Sequence, residues 1–418
     1  MMKKRVLAMA VAASSVAFTG MAQAEVKIGF LGGFTGGIES LTPPIFNGAK
    51  LAVQQINKQG GVLDGQDIVM PTGDTTCSDA SAASNAADRM VNTENVTAIV
   101  GALCTGATVA AANNAAVPGG VTMVSPASTA PAVSNIEDND LVFRTVPSDA
   151  FQGRMLAKLL MDKGIEEVVV TYVNNDYGSG LAEAFTTAFE EEGGTVAANV
   201  PHTDNRADYR AELGKLAATG VPNLVVLAYA DTSGQTVMRQ AYESGMFTQY
   251  IGADGMVGDS LVDAIGADVL EGMIATRPGS PDLPGTEIFN EAAKAADVDP
   301  SAVFAAQAYD AAFLLGLAIE QNGNAEREGL SEALRSVASA PGEVVLPGEW
   351  EKAKELIAAG TEVNYEGASG THEFDKSGDV PGVVVEMAVE DGSFVSKGQV
   401  KPESAEGGSE GGEQDTGS

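Results

Sequence analysis

The chain has only two histidines, His202 and His372, and only two cysteines, Cys77 and Cys104, in 418 residues. Two histidines so far apart give no metal-ligand spacing and no evident Ser/His/Asp order, and no paired carboxylates stand in a catalytic signature. Positive charge is also scarce: 24 Lys and Arg against 57 Asp and Glu leave a formal charge of −33. Such a surface repels nucleic acid and anionic lipid, which argues against both as partners. It reads more readily as a solvated acidic surface suited to a salty medium than as a field steering cationic ligands. Beyond the N-terminal segment no apolar run is long enough to cross a bilayer, so direct membrane insertion is not expected. The loop Gly32-Gly33-Phe34-Thr35-Gly36-Gly37 tempts a nucleotide reading. No G-x-G-x-x-G can be laid on it and no G-K-[ST] follows, so it reads as a tight strand-to-helix turn facing a small ligand. Neither a metal nor a cofactor is expected, and the chain does not read as an enzyme.

What the chain does have begins with an address. Lys3, Lys4 and Arg5 form a basic start, Val6–Phe18 an apolar run, and Ala22-Gln23-Ala24 an A-x-A cleavage site. That pattern is a secretory signal peptide spanning 1–24, cut after Ala24, and places the mature protein in the periplasm. No cysteine follows the cut, which argues against a lipid anchor. At the other end, 401–418 is rich in Gly, Ser and Glu and is expected to be a disordered acidic tail. For two lone cysteines in an exported chain a disulfide is the default, with a nucleophilic or metal-binding role as the alternative.

Between these ends, strand and helix patterns alternate almost without interruption, which predicts an α/β fold of mostly parallel sheets covered by helices. Apolar strands are expected at Val26–Leu31, Asp67–Met70, Ala98–Val100, Val121–Val124 and Leu141–Val146. After Pro147 and Ser148 the alternation restarts, with strands at Val168–Val173, Val196–Val200, Leu224–Tyr229, Tyr250–Gly252 and Met273–Thr276. Two halves of similar plan suggest two lobes. Val303–Glu320 is apolar nearly all round and should be a buried helix. Strand pattern returns late, at His372–Phe374, Val383–Val389 and Ser393–Ser396, so the chain crosses back between lobes. Several crossings make a hinge, and a hinge beside a crevice suggests closure around a ligand.

The stretch Ala98–Ser134 carries the clearest functional signal. Its two strands end in small hydroxyl-bearing residues, Cys104-Thr105-Gly106 and Ser125-Pro126-Ala127-Ser128-Thr129. Adjacent strand ends of a parallel sheet form a ligand crevice, and backbone N–H groups with hydroxyls there suit an anion such as a carboxylate. Other polar candidates at strand ends are Tyr177, Tyr229 and Asp254. Tyr177 can lie over a ligand and donate its hydroxyl, or be a half-exposed loop tyrosine. Asp254 can pair with a ligand ammonium, or be a turn aspartate satisfied by backbone N–H groups. The residues alone leave both choices open.

Seven motifs in order carry a resemblance: V-K-I-G-F-L-G-G-F-T-G at Val26, N-G-A-K-L-A-V-Q-Q-I-N-K-Q-G-G at Asn47, V-G-A-L-C-T-G at Val100, S-P-A-S-T-A-P at Ser125, F-R-T-V-P-S at Phe143, Y-G-S-G at Tyr177 and Y-E-G-A-S-G at Tyr365. With them the chain resembles the periplasmic branched-chain amino acid-binding proteins of ABC transporters, type I substrate-binding proteins, over essentially all of Glu25–Lys401. The resemblance implies two Rossmann-like lobes joined by three hinge strands. The expected N-terminal lobe is 25–144 plus 277–371, and the C-terminal lobe 145–276 plus 372–400. It implies that Thr105, Ala127 (through its backbone) and Thr129 hold the ligand's carboxylate and ammonium, with Tyr177 and Asp254 completing the site; Ser128 remains a candidate from its place at a strand end. It also pairs Cys77 with Cys104. Two departures stand out. The family's pocket tyrosine aligns nearer Ala230, with Tyr229 one position early, and a one-residue slip reverses the face of a strand. The first loop lacks the family's aromatic and has Leu41-Thr42-Pro43-Pro44 instead.

The reading is therefore an exported solute-binding protein, a monomer, that captures a small aliphatic amino acid by hinge closure and delivers it to an ABC permease. The same fold binding an amide, a urea-like compound or an aromatic acid is the first alternative; an exported hydrolase is the second.

Overall fold

A computed structural model describes residues 25–401. The signal peptide and the acidic tail lie outside the described residues. The first lobe is built on a sheet of β1 (Val26–Gly32), β2 (Ile68–Val69), β3 (Thr72–Asp74), β4 (Ala98–Gly101), β5 (Thr122–Ser125) and β6 (Val142–Arg144). Its order is β2-β1-β4-β5-β6, with β3 also on β1, and every pair is parallel. The second lobe holds β7 (Glu167–Val173), β8 (Thr195–His202), β9 (Asn223–Leu227), β10 (Gln249–Gly252) and β11 (Ile274–Gly279). They run parallel in the order β11-β10-β9-β7-β8. A two-stranded parallel pair, β12 (Glu343–Val345) and β13 (Val363–Tyr365), sits apart. Beyond β11 the second sheet gains β14 (Val383–Glu390) and β15 (Ser393–Val400), both antiparallel. This is the doubly wound α/β architecture that the alternation predicts.

Strand composition explains the layering. β4 and β5 are buried along their whole length, as strands covered by helices on both faces must be. Helix Ala305–Asn322 lies in the core of the first lobe, apolar and buried on nearly every face. It packs on helix Thr42–Lys58 so closely that a Cβ on Gly48 would stand 2.2 Å from the Ala305 carbonyl oxygen. Only glycine permits that approach.

Two expected strands differ. Asp67–Met70 shortens to β2, and beyond Pro71 the chain adds β3, which lies outside the expected strand. Pro71 has no N–H to give the ladder, but its carbonyl still accepts the Phe30 N–H at 2.8 Å. His372–Phe374 is not a strand: His372 is buried, its Nε2 3.4 Å from an Asp310 carboxylate oxygen, and its ring stacks on Tyr365. That packing fixes a loop rather than a ladder. Helix Asp259–Ile265 was not foreseen.

The winding of each sheet positions the site. In the first sheet the chain leaves β1 toward β2 and returns to β4 on the other side; in the second it leaves β7 toward β8 and returns to β9. Each reversal opens a crevice at the carboxyl ends of the strands. The chain passes between the sheets three times, after β6, after β11 and before β14.

Candidate functional site

The two crevices face each other across a small cavity between the lobes. From the first lobe come Ile38, Leu41 and Ile45 after β1, Leu103, Cys104 and Thr105 after β4, Ala127 after β5, and Phe304. From the second come Tyr177 after β7, Tyr229 after β9, and Asp254 and Gly255 after β10.

On the first wall, Thr105 opens helix Thr105–Ala111, and Cys104 before it gives no side-chain cap. The N–H groups of a first helical turn have no intrahelical acceptor, so this end suits a negative group. The buried Thr105 hydroxyl accepts the Ala130 N–H at 3.3 Å and keeps its own proton to donate. Cys104 is joined to Cys77, which ties the loop after β3 to the loop after β4. The expected disulfide is present.

On the second wall the polar groups are tightly cross-bonded. The Tyr177 hydroxyl donates to Asp254 Oδ1 at 3.2 Å and accepts the Gly255 N–H at 3.1 Å. Gln152 Nε2 donates to the same Oδ1 at 2.8 Å. Burial pushes the Asp254 carboxyl up to about 6, against the pull of the Gln152 and Tyr177 hydrogen bonds. Burial, with the Asp254 charge beside it, also drives the Tyr177 hydroxyl well above its ordinary range, so it stays a donor. Tyr229 stacks on Tyr177 with ring centroids 5.1 Å apart. The one-residue offset does not turn Tyr229 out: it is buried and lines the cavity.

Not every candidate reaches the cavity. The Ser128 hydroxyl is taken by Thr108 Oγ1 at 2.7 Å and the Ala102 carbonyl at 3.3 Å, inside the first lobe. The Thr129 hydroxyl is buried and faces the Asp149 carboxyl rather than the lining. Sequence reasoning missed the apolar lining, Ile38, Ile45, Leu103 and Phe304, together with Gln152. Phe304 adopts φ +62°, a left-handed backbone that a bulky residue rarely accepts. No strand-end rule finds such a residue.

At the rim the lobes touch directly. Ser40, after β1, gives its N–H to Asp231 Oδ2 at 2.8 Å and its hydroxyl to Asp231 Oδ1 at 2.9 Å. Ser260 stands 3.2 Å from the same hydroxyl. Gly37 lies flat on Tyr229: a Cβ there would be 3.2 Å from the ring.

Neither histidine lines the cavity. His202 is held by Thr171 and Ser233, and burial lowers it to about 4, so it is neutral. Among the described residues no cluster of His, Cys, Asp and Glu fits a metal ion, and no helix is long and apolar enough to cross a membrane.

Two doubly wound lobes facing each other over a cavity lined by both polar and apolar side chains define a bilobal ligand-binding protein. The chain belongs to the family described as the receptor family ligand binding region, whose pattern matches residues 46–388. It is 32% identical over 329 residues to the leucine-, isoleucine-, valine-, threonine-, and alanine-binding protein of Pseudomonas aeruginosa, covering 78% of this chain and 86% of that one. The crystal structure of a leucine binding protein LivK from Thermotoga maritima superposes with a TM-score of 0.76 at 28% identity, covering 90% of this chain and 99% of that one. A Desulfitobacterium hafniense ABC transporter substrate-binding protein in complex with Leu gives 0.69 at 27%, covering 89% and 100%.

Proposed function

We propose that this protein is a periplasmic solute-binding protein that closes on a small aliphatic amino acid and presents it to an ABC transporter permease. The observation that carries the reading is the division of the cavity wall. Thr105 and the open helix start beside it, with the Ala127 backbone, offer donors to a carboxylate. Asp254, steadied by Gln152 and Tyr177, offers a carboxylate to an ammonium. Ile38, Leu41, Ile45, Leu103 and Phe304 leave an apolar end for the side chain. A zwitterion loses its hydration on closure, so both charges need partners already in place. Tyr229 covers the ligand from the second lobe. Thr129 acts from behind the wall, and Ser128 holds the loop after β5 in shape.

The relatives named above are binding proteins and not enzymes, and a site with a single carboxylate in its lining and no nucleophile–base pair fits binding without turnover. Calorimetry with a panel of amino acids, amides and aromatic acids tests the reading. Leucine, isoleucine or valine should bind, and Asp254→Ala should abolish most of that affinity. Binding of amides or acids, unaffected by Asp254→Ala, would replace the zwitterion with the alternative ligand class.

A further inference from the structure

Arg144, Arg327 and Arg335 tie distant parts of this chain together, and each spends all of its guanidinium nitrogens. Arg144 pairs Nε and Nη2 with Asp379 and gives Nη1 to the Ser128, Thr129 and Ala130 carbonyls. Arg327 gives Nε, Nη1 and Nη2 to the Val96, Gly119 and Val91 carbonyls. Arg335 holds Asp140 with Nε and Nη2 and gives Nη1 to the Phe374 and Asp375 carbonyls. Arg277 is left incomplete. Its Nε reaches Met387 Sδ at 3.4 Å, a weak acceptor, and its Nη2 donates to the Ser301 carbonyl at 3.1 Å. Among the described residues Nη1 has no acceptor and the guanidinium makes no ion pair.

The place of Arg277 gives that gap a meaning. It lies on β11, at one of the crossings between the lobes, in register with Val385 of β14. It lines a groove of about 300 Å3 whose walls come from both lobes, room enough for a small organic acid. Leu41 and Val303 stand on the first-lobe side; Val257, Met387 and Phe394 stand on the second. Leu41 also lines the ligand cavity, so the two spaces share a wall. Arg277 is half-buried, and burial lowers its guanidinium from the ordinary range, with only the Asp299 charge acting against it. The carboxylates of the groove do not neutralise it. Asp299 is exposed and takes the Ser301 N–H and hydroxyl on Oδ1, and Asp259 is exposed at the rim, where solvent screens both. A cation drawn part-way out of water without a counter-ion is costly, and the planar fork of a guanidinium matches a carboxylate.

We propose that this groove is a second binding site, for a small organic acid with an apolar body. The Arg277 fork takes the carboxylate, and the Ser260 and Ser396 hydroxyls in the same wall have protons to donate. The body of the acid rests on Leu41, Val257, Val303, Met387 and Phe394. A neutral ligand would leave the guanidinium unpaired. Because the walls belong to both lobes, a bound acid holds the lobes in their present arrangement. By linkage it then raises the affinity of the neighbouring cavity for its own ligand. That last consequence rests on the proposed function; the acid site does not.

The test titrates para-fluorobenzoate, and separately its neutral amide, into the full mature chain in low-salt buffer, followed by fluorine NMR. The expected result is saturable binding of the acid, with the amide at least about tenfold weaker. Arg277→Gln should weaken the acid at least about tenfold. Ser396→Glu should do the same, since it sets a negative charge in the groove and leaves the guanidinium in place. Thr105→Ala, which alters the ligand cavity, should leave the acid within about twofold of the parent. Calorimetry with leucine in saturating acid should show an affinity a few-fold higher than without it. No saturable binding, equal binding of the amide, or binding that survives both Arg277→Gln and Ser396→Glu overturns the site. Loss of the acid in Thr105→Ala, or competition between acid and leucine, assigns it to the ligand cavity and overturns the site equally. A leucine affinity that the acid leaves unmoved overturns the bridging of the lobes. If Arg277→Gln does not fold, Ser396→Glu and the amide decide. If leucine does not bind at all, the proposed function fails while the fluorine titration still decides the groove.

Discussion

The two walls of the cleft solve opposite problems. The first is uncharged and made of aliphatic side chains, small residues and a helix start, with few hydrogen bonds among its lining groups. The second is aromatic and acidic, and its polar atoms are already bonded to one another: Gln152 and Tyr177 to Asp254, and Gly255 to Tyr177. A neutral wall can wait for a carboxylate without cost, because its donors are backbone groups and a hydroxyl. A buried carboxylate cannot wait unaided. It has to be steadied before any ammonium arrives. The contrast predicts that single changes on the second wall cost far more than those on the first.

The largest effect is expected at Asp254. Asp254→Ala should weaken binding of an aliphatic amino acid by at least about a hundredfold, since it strands the ammonium in a buried site. Thr105→Ala should cost only about tenfold, because the backbone donors beside it remain. Equal losses in calorimetry would erase the distinction between the walls. Next comes the support of the first wall. Replacing Cys77 and Cys104, which lie 27 residues apart, with serine should lower stability by about 3 kcal/mol, measured by urea unfolding. A loss near zero would show that the two loops hold their places without the bond.

The third effect depends on pH. The Asp254 carboxyl stands at about 6 in the folded protein against an ordinary 3.8. For an acid raised in this way, the contribution to stability is complete below the ordinary value and is lost as pH rises through about 6. Ligand affinity runs the other way, because the ammonium needs the ionised form. Binding should weaken about tenfold from about pH 7 to about pH 5, and Asp254→Asn should abolish that slope. A parent profile that stays flat would contradict it. The smallest effect is expected at the apolar end. Leu41→Ala should enlarge the cavity and shift preference toward larger side chains by a few-fold, read from relative affinities for alanine, leucine and phenylalanine. An unchanged ranking would remove Leu41 from the selection.

Much of this arrangement was legible in the sequence because it follows from strand ends. A parallel strand delivers its next residues to the carboxyl edge, so Thr105, Tyr177 and Asp254 could be marked as candidates from local pattern, while Ala127 and the choice of a ligand role over a turn role came from the family resemblance. Tyr229 could not be, since its direction depends on whether β9 has ended; it has, at Leu227, and the tyrosine follows in the loop. Ser128 sits at the right point of its loop, but its hydroxyl satisfies the Ala102 carbonyl. Phe304 and Ile45 reach the cavity from helices whose packing is set by distant parts of the chain, and periodicity marks them only as apolar. Gln152 lies in an ordinary helical stretch, and its importance arises from the Asp254 carboxylate that folds against it.

The rim contact between Ser40 and Asp231 carries a consequence for timing. It is exposed to solvent, so its net contribution to affinity is small. Yet it spans the mouth, and both of its bonds must break before the lobes can part. Such a contact acts on the escape rate more than on the encounter rate. An exposed latch of this kind is expected to slow the parting of the lobes more than it tightens binding.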